Sequence, residues 1–448
     1  MSLMLLLLAC GPPRIEDQPD TRLPEFEDSG VGDTTPDETG ETTDDTGAAG
    51  ETGTTAPDDT GGVETIPDVI EEEIEDQELS DSWFFSNEAI QTIEITLSSE
   101  SWNNLQFEPY EYTEAGVAVN GEFVETVGVR LRGKYGSFRD LNGKPKFKID
   151  FNQYLEGQRF YGIETISLNN EVVDCSYLKE PIGYALFEEM AVPAPRTGFA
   201  EVTVNGAPYG LYVIVETPDD RFLERAYEEP DGNLYDGKYI LDELGNFVAL
   251  LDFGDGVDDL FQLEEGTDVG NADIIAVSDA HTGVTFGDSY YEAMSPYIDW
   301  ENFHRLWAVE QWLGQNDGYV LNTNNYRVYF DPADGLAKFV PWDLDYTFLY
   351  DYEWGMDWWG PAGNIAARCL RDEACAAAQK AATAEVIAAA ESAGLSAQFA
   401  AMQPLIADAA AADPRKECSD RSVEREQDAV EAWLTQRSDE LRSEWGLP

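Results

Sequence analysis

Lys338–Phe348 reads KFVPWDLDYTF. An apolar, strand-like run through Phe339 and Val340 leads past Pro341 and Trp342 into two aspartates, Asp343 and Asp345. Carboxylates at the end of a buried strand lose hydration unless something cationic meets them. Two of them within three residues also repel, which raises the pKa of one unless a cation lies between or beside them. On a continuing strand, residues 343 and 345 point the same way. The stretch predicts a cation-holding pair on one wall of a cleft.

The residues before it extend that expectation. WENFHRLWAVEQWLGQND (300–317) has the periodicity of an amphipathic helix that stops at a glycine. Asp317 and the run Asn322–Asn325 follow, and then two strands, NNYRVYF and LAKFVPWDLD, joined by Asp-Pro-Ala-Asp-Gly. An aspartate, an asparagine five residues later and an aspartate after a short hairpin are hard oxygen donors of the kind Mg²⁺ takes. They also stand in the order in which a phosphoryl-transfer site presents them.

The first half supplies a complementary pattern. GVAVNGEFVETVGVRLRG carries Asn120-Gly121 between two apolar runs, a tight hairpin signal. Arg130 and Arg132 alternate with Val127, Val129 and Leu131. After a glycine-containing loop, KFKIDF (146–151) puts Lys146, Lys148 and Asp150 on one strand face and Phe147, Ile149 and Phe151 on the other. SYLKEPIGYALFEEM (176–190) predicts a helix with Ser176 as N-cap, carrying Glu180, and with Pro181 in its first turns. A second hairpin turns at Asn205-Gly206 and runs to Glu216. Hairpin, loop, lysine-bearing strand, helix and hairpin is the order of a protein-kinase small lobe, where a helix carboxylate orients a strand lysine toward phosphates. Residues 231–290 read as an acidic, loop-rich insertion.

Charge narrows the partners. The 448 residues carry 89 acidic and 27 basic side chains, a net −62, which argues against nucleic acid. Residues 11–81 hold 24 of the acids, two basic residues and many Thr, Gly and Pro, a composition with too little apolar surface to offset ordering entropy. It predicts a disordered, self-repelling tether ahead of a globular domain at 82–448. Residues 1–10, MSLMLLLLAC, resemble a bacterial lipoprotein signal ending at a lipidated Cys10, without the basic residues that usually precede the apolar run. That implies a lipid anchor to a bacterial membrane, with the domain facing the periplasm or the cell exterior.

Four cysteines remain. Cys369 and Cys375, six apart in CLRDEAC, suit a local disulfide in an exported chain. Zinc is disfavoured there because neither histidine, His281 nor His304, lies near the pair in sequence. Sequence does not decide whether Cys175 pairs with Cys418.

Together VRLRGKYGSF, GKPKFKIDFN, the block GIETISLNNEVVDCSYLKEPIGYALFEEMAVPAPRTGFAEVTVNGAPYGLYVIVE, NDGYVLNTNNYRVYF and FVPWDLDYTF resemble the spore-coat CotH family of atypical kinases over about residues 90–350. The resemblance implies an α+β, two-lobed, protein-kinase-like fold, with a small lobe over about 82–216 and a large lobe over about 217–448. It also implies ATP- and Mg²⁺-dependent phosphorylation of Ser or Thr in envelope or surface proteins. By the same resemblance Lys148 contacts the nucleotide phosphates, with Lys146 or Lys144 as alternatives if the register differs, and Glu180 orients that lysine. Glu216 sits where the chain crosses between lobes, beside the nucleotide. Asp317 acts in the catalytic loop as base or metal ligand. Asn325, or Asn322, binds metal with Asp343 and Asp345. The chain departs from the family at Asp174-Cys175-Ser176, where Asp-Pro-Ser is frequent, and in its aromatic-rich glycine loop. The competing class is a non-catalytic surface lipoprotein that binds envelope protein or polysaccharide through the same fold.

Overall fold

The computed structural model describes residues 81–134, 136–241, 247–268, 270–349 and 357–448. Cys10 and residues 11–80 of the expected tether lie outside them. Asp81, expected at the tether's end, already belongs to the folded part: it accepts two hydrogen bonds from Arg196, at 2.8 and 2.7 Å.

The first half is a closed barrel. Its strands are β1 (Ile90–Leu97), β2 (Thr113–Val119), β3 (Glu122–Arg132), β4 (Lys146–Asp150), β5 (Thr165–Asn169), β6 (Thr197–Val204) and β7 (Ala207–Glu216). Helix α1 (Ser99–Phe107) follows β1, and α2 (Lys179–Glu189) follows β5. The order around the barrel is β1-β2-β3-β4-β5-β7-β6, closed by a parallel β1–β6 pairing while the other neighbours are antiparallel. Both Asn-Gly turns form as the sequence predicts, each with two consecutive left-handed residues: Asn120 and Gly121, Asn205 and Gly206. In β4 the expected alternation holds: Phe147 and Ile149 fill the barrel, leaving Lys146 and Lys148 on its outer face. Strand β7 is covered on both sides, so GLYVIV has no polar alternation. Tyr212 and Ile214 join the barrel interior, while Leu211, Val213 and Val215 join the second core with α2.

The second half mixes helices with a small antiparallel sheet. After α3 (Asp220–Ala226) come β8 (Asn233–Gly237), β9 (Tyr239–Leu241), β10 (Phe247–Leu250) and β11 (Gln262–Glu265). Helices α4 (Ala272–Gly283), α5 (Tyr290–Met294), α6 (Trp300–Leu313) and α7 (Tyr319–Asn322) precede β12 (Tyr326–Phe330) and β13 (Ala337–Pro341). The sheet order is β11-β8-β12-β13. The segment expected to be a loop-rich insertion therefore places β8 inside this sheet, paired with β12. Helices α8 (Asn364–Cys369), α9 (Glu373–Ser392), α10 (Leu395–Ala412) and α11 (Asp420–Trp445) complete the chain. Gly314, left-handed, ends α6 where the sequence predicts.

Two expectations need correction. Helix α2 starts at Lys179, not just after Ser176. Asp174 organises the turn before it, accepting from the Ser176 and Lys179 amides at 2.8 and 3.0 Å. This satisfies donors that a serine N-cap would otherwise take. Pro181 falls in the first turn, where a missing N–H costs nothing. Also, His304 is near the cysteine pair in space: its Nε2 lies 3.8 Å from Cys375 Sγ. Both sulfurs are committed to the Cys369–Cys375 disulfide. A second disulfide, Cys175–Cys418, joins the turn before α2 to the segment before α11, which gives the Asp-Cys-Ser departure a structural reason.

One buried ion pair locks the C-terminal helices onto the barrel. Lys144 Nζ and Asp413 Oδ2 are 2.6 Å apart, with neither side chain exposed. Lys144 also donates to the Leu211 carbonyl at 2.7 Å, and Asp413 accepts from the Leu211 amide at 3.1 Å. Gly210, at φ +99°, makes room: a Cβ there would sit 2.0 Å from Asp413 Oδ1. Removing one partner of a buried pair strands the other charge. Asp413→Ala should lower unfolding free energy by about 3–5 kcal/mol in urea titrations. A loss under about 1 kcal/mol would mean that water reaches Lys144 in the native state.

Candidate active site

The Asp343–Asp345 pair does not ride on a continuing strand. Strand β13 ends at Pro341, paired with Tyr326, and Asp343 has a left-handed backbone at φ +48°. Aspartate tolerates this conformation better than most residues. The two carboxylates still face one place because Leu344 between them is anchored. It is buried against α2, where Gly183 lets it approach so closely that a Cβ would lie 2.7 Å from its Cδ1. The cation that meets them in the protein alone is Lys146. Its Nζ stands 3.4 Å from Asp343 Oδ1 and 3.0 Å from Asp345 Oδ2. Arg132 lies 4.0 Å from Asp343.

Electrostatics differentiate the two acids. Burial pushes Asp343 up, but Lys146 and Arg132 outweigh it and hold its carboxyl below the usual range. Burial and the Asp343 charge push Asp345 up to about 6 despite Lys146. Burial alone would lower Lys146, yet the two carboxylates raise it, so it stays charged.

Asp317 approaches the same place from the loop after α6. Its carboxylate accepts from Asn322, Asn324 and Asn325 side-chain amides at 2.5, 3.1 and 2.8 Å. Burial raises it to about 6, against the lowering effect of those amides. Gln315 ties this loop to the aspartate pair, donating to the Asp343 carbonyl at 3.1 Å and accepting from the Asp317 amide at 3.2 Å. The structure thus brings Asp317, Asn322, Asn325, Asp343 and Asp345 into one neighbourhood, a loose cluster of oxygen donors in which the three carboxylates do not all lie within 4.8 Å of one another. Asp343 and Asp345 are of the type that a divalent cation such as Mg²⁺ takes, and that cation would have to displace Lys146 from between them.

Lys146 meets the aspartates, Lys148 lines the adjoining cleft, and Lys144 is sequestered with Asp413. Glu180, expected to orient Lys148, instead lies in the field of Lys146. Its Oε2 accepts from Asn169 at 2.7 Å, and Asn169 in turn accepts from Arg132 at 3.1 Å. Burial, then the Asp343 charge, push Glu180 up to about 8. Glu216 ends β7, but its carboxylate is engaged by Arg196 at 2.6 Å and Arg225 at 2.8 Å, away from the aspartates' partners.

Beside the cluster opens a cleft of ≈ 310 Å³. Six of the chain's 27 basic residues line it: Arg130, Arg132, Lys134, Lys148, Lys238 and Arg327. Against the four acids of the same lining, Asp236, Glu264, Asp343 and Asp345, they leave a surplus of cations, which in a chain of net −62 favours an anion there. Arg132 and Arg327 both lie over the Trp342 ring, at 5.1 and 4.6 Å. Arg327 carried a signal in the sequence: it is a lone charge inside NNYRVYF, a strand buried from end to end. Gln315 carried none.

The model of the CotH kinase protein family matches residues 129–441, more than half of the chain. The chain belongs to the CotH kinase family. It is 26% identical over 234 residues to the inner spore coat protein H of Bacillus subtilis (strain 168), covering 52% of this CotH-family chain and 59% of that relative. A spore coat protein H-like protein of the same organism is 32% identical over 78 residues, covering 17% of this chain and 24% of that one. The chain therefore spans less than two thirds of the curated relatives it matches. Among solved structures, HipA of the Shewanella oneidensis MR-1 toxin–antitoxin complex matches at TM-score 0.33 and 10% identity, over 79% of this chain and 74% of that one. The Helicobacter pylori proinflammatory kinase CtkA matches at TM-score 0.28 and 9% identity, over 70% and 96%. This CotH-family chain is a kinase-like protein with its oxygen cluster, Lys146 and the basic cleft inside the matched segment.

Glu180 generates a pH signature. The folded protein keeps its proton to about pH 8, while the unfolded chain releases it near 4.5. The stability contributed by this group is complete below about pH 4.5 and is lost as pH rises toward 8. Thermal melts of Glu180→Gln at pH 5–8 should show a shallower decline than wild type. Parallel curves would mean that Glu180 is ionised in the native state.

Proposed function

We propose that this protein is an ATP- and Mg²⁺-dependent kinase that phosphorylates Ser or Thr in envelope or surface proteins. The observation that carries this reading is the meeting of Lys146 with Asp343 and Asp345, next to Asp317 and its asparagines, at the edge of a cationic cleft in an otherwise acidic chain. Asp343 and Asp345 would hold Mg²⁺, with Asn325 or Asn322 turning an amide oxygen to it. When bound, the metal neutralises charge on the phosphates. Asp317, raised to about 6, is ionised near neutral pH and close enough to it to take the acceptor hydroxyl's proton effectively. Lys146 and Lys148 would contact the phosphates, and Glu180 would hold Arg132 in place through Asn169.

In this reading Cys10 carries the lipid anchor and the acidic segment is the spacer that lets the domain reach substrates beyond the membrane surface. Among the described residues no helix is long and apolar enough to cross a membrane. A Cys10→Ser chain expressed in a lipoprotein-processing bacterium should leave the membrane fraction for the soluble one. Retention in the membrane fraction would remove the anchor from the proposal.

A second reading, non-catalytic binding of polysaccharide or envelope protein, is favoured by one feature. Trp359 is 53% exposed and packs on Trp445 at 4.6 Å between ring centroids, a platform on which a sugar face could stack.

Asp343→Asn separates the two. The substitution keeps volume and removes one charge. It should abolish Mg²⁺-dependent ATP binding in a thermal-shift titration while moving the metal-free melting temperature little, because Lys146 keeps Asp345 as partner. A wild-type protein that gives no shift with millimolar Mg²⁺ and ATP would end the kinase reading in favour of the binding one.

A further inference from the structure

The cleft beside Lys146 is built for charge over most of its lining. Among the described lining residues only one, Val173, has an aliphatic side chain. A nucleobase draws most of its affinity from burial between hydrocarbon and aromatic faces; of the three aromatic lining residues, Tyr239, Trp342 and Tyr346, cations cover two, with Lys134 over Tyr239 at 4.6 Å and Arg132 and Arg327 over Trp342. Arg327 is the extreme case. It sits in the middle of β12 and is 7% exposed. Its Nε and Nη1 have no hydrogen-bond partner. The carboxylate nearest to it, Asp236, stands 3.6 Å away and is shared with Lys238 at 2.7 Å. Arg130 and Lys148 add to the strain, being directly opposite each other in the β3–β4 register, where like charges repel. Burial lowers Lys148 further, with Arg130 and Arg327 adding to the effect. Buried guanidinium N–H groups without acceptors are costly, and each idle donor is matched by one oxygen of a phosphate group.

We propose that this cleft recognises its phosphoryl donor by the polyphosphate chain and not by the base, with Arg327 as the buried anchor and Arg130 and Lys148 completing the anion subsite. The inference rests on the kinase reading of the same cleft. The ligand class is any Mg²⁺-bound nucleoside triphosphate or inorganic tripolyphosphate.

Calorimetric titration of the full chain with ATP, GTP, CTP and tripolyphosphate, each with Mg²⁺, tests it. The three nucleotides should bind within about threefold of one another, and tripolyphosphate should displace ATP at a comparable concentration. Arg327→Met should weaken all four by roughly 10- to 100-fold, the scale of a charged hydrogen bond. Arg327→Lys should recover part of that affinity. Because the methionine variant removes buried donors that lack acceptors and leaves Asp236 paired with Lys238, its ligand-free melting temperature should be unchanged or raised. A tenfold or greater preference for ATP over GTP and CTP, with no competition by tripolyphosphate, would overturn this inference and leave the kinase reading standing. So would a methionine variant that melts lower but binds all four ligands as wild type does. If no ligand binds to wild type, the kinase reading falls and this inference falls with it.

Discussion

The contact on which the site depends is a lysine on the barrel held between two aspartates from the other half of the chain. Lys146 projects from β4 because the strand's alternation commits Phe147 and Ile149 to the barrel interior. Asp343 and Asp345 reach it because Leu344 is pinned against Gly183 of α2. A single ammonium satisfies two carboxylates that would otherwise repel in a poorly solvated place. The geometry is thus set by two apolar anchors, one per half, and the charges follow.

That arrangement also explains why the neighbouring groups titrate as they do. Asp343 receives most of the cationic field and stays ionised, while Asp345 and Glu180 are raised by burial and by Asp343 itself. Asp317 is raised by burial although three amides point at it. One low and several raised carboxyls in one small volume is a division of labour between permanent charge and proton exchange. It arises here from burial, and from Arg132, which adds to Lys146 at Asp343.

Much of this was legible in the chain because it rests on local rules. Asn-Gly pairs fix both hairpins, Gly314 stops α6, and period-two alternation in KFKIDF sorts lysines from core residues. The Asp317–Asn–Asp order marked the oxygen cluster because those residues come from consecutive loops. What resisted reading was set by tertiary contact. The left-handed Asp343 depends on how β13 meets Asn325, whose carbonyl takes the Trp342 amide. That Lys146 meets the aspartates while Lys148 lines the cleft depends on where the Asp343–Asp345 turn lands against β4. The late start of α2 depends on Asp174, whose side chain outcompetes the serine that local propensity favours. His304 reaches the Cys369–Cys375 pair only through the packing of α6 on α9. Glu216 was placed correctly at the end of its strand, but no local pattern announced that Arg196 and Arg225 would claim it.

The Cys175–Cys418 disulfide spans 243 residues, and that span has a topological meaning. It converts most of the folded chain into one covalent ring that holds α2, the barrel strands β6 and β7, strands β8 to β13 and helices α3 to α10. By the chain-entropy model such closure stabilises by about 5 kcal/mol. The ring cannot close until residue 418 has been made, so the turn that starts α2 receives its covalent anchor last. Once closed, a protease that cuts any one loop between the two cysteines opens the ring but releases no fragment. The barrel and the helices that carry the oxygen cluster stay one molecule after a single nick.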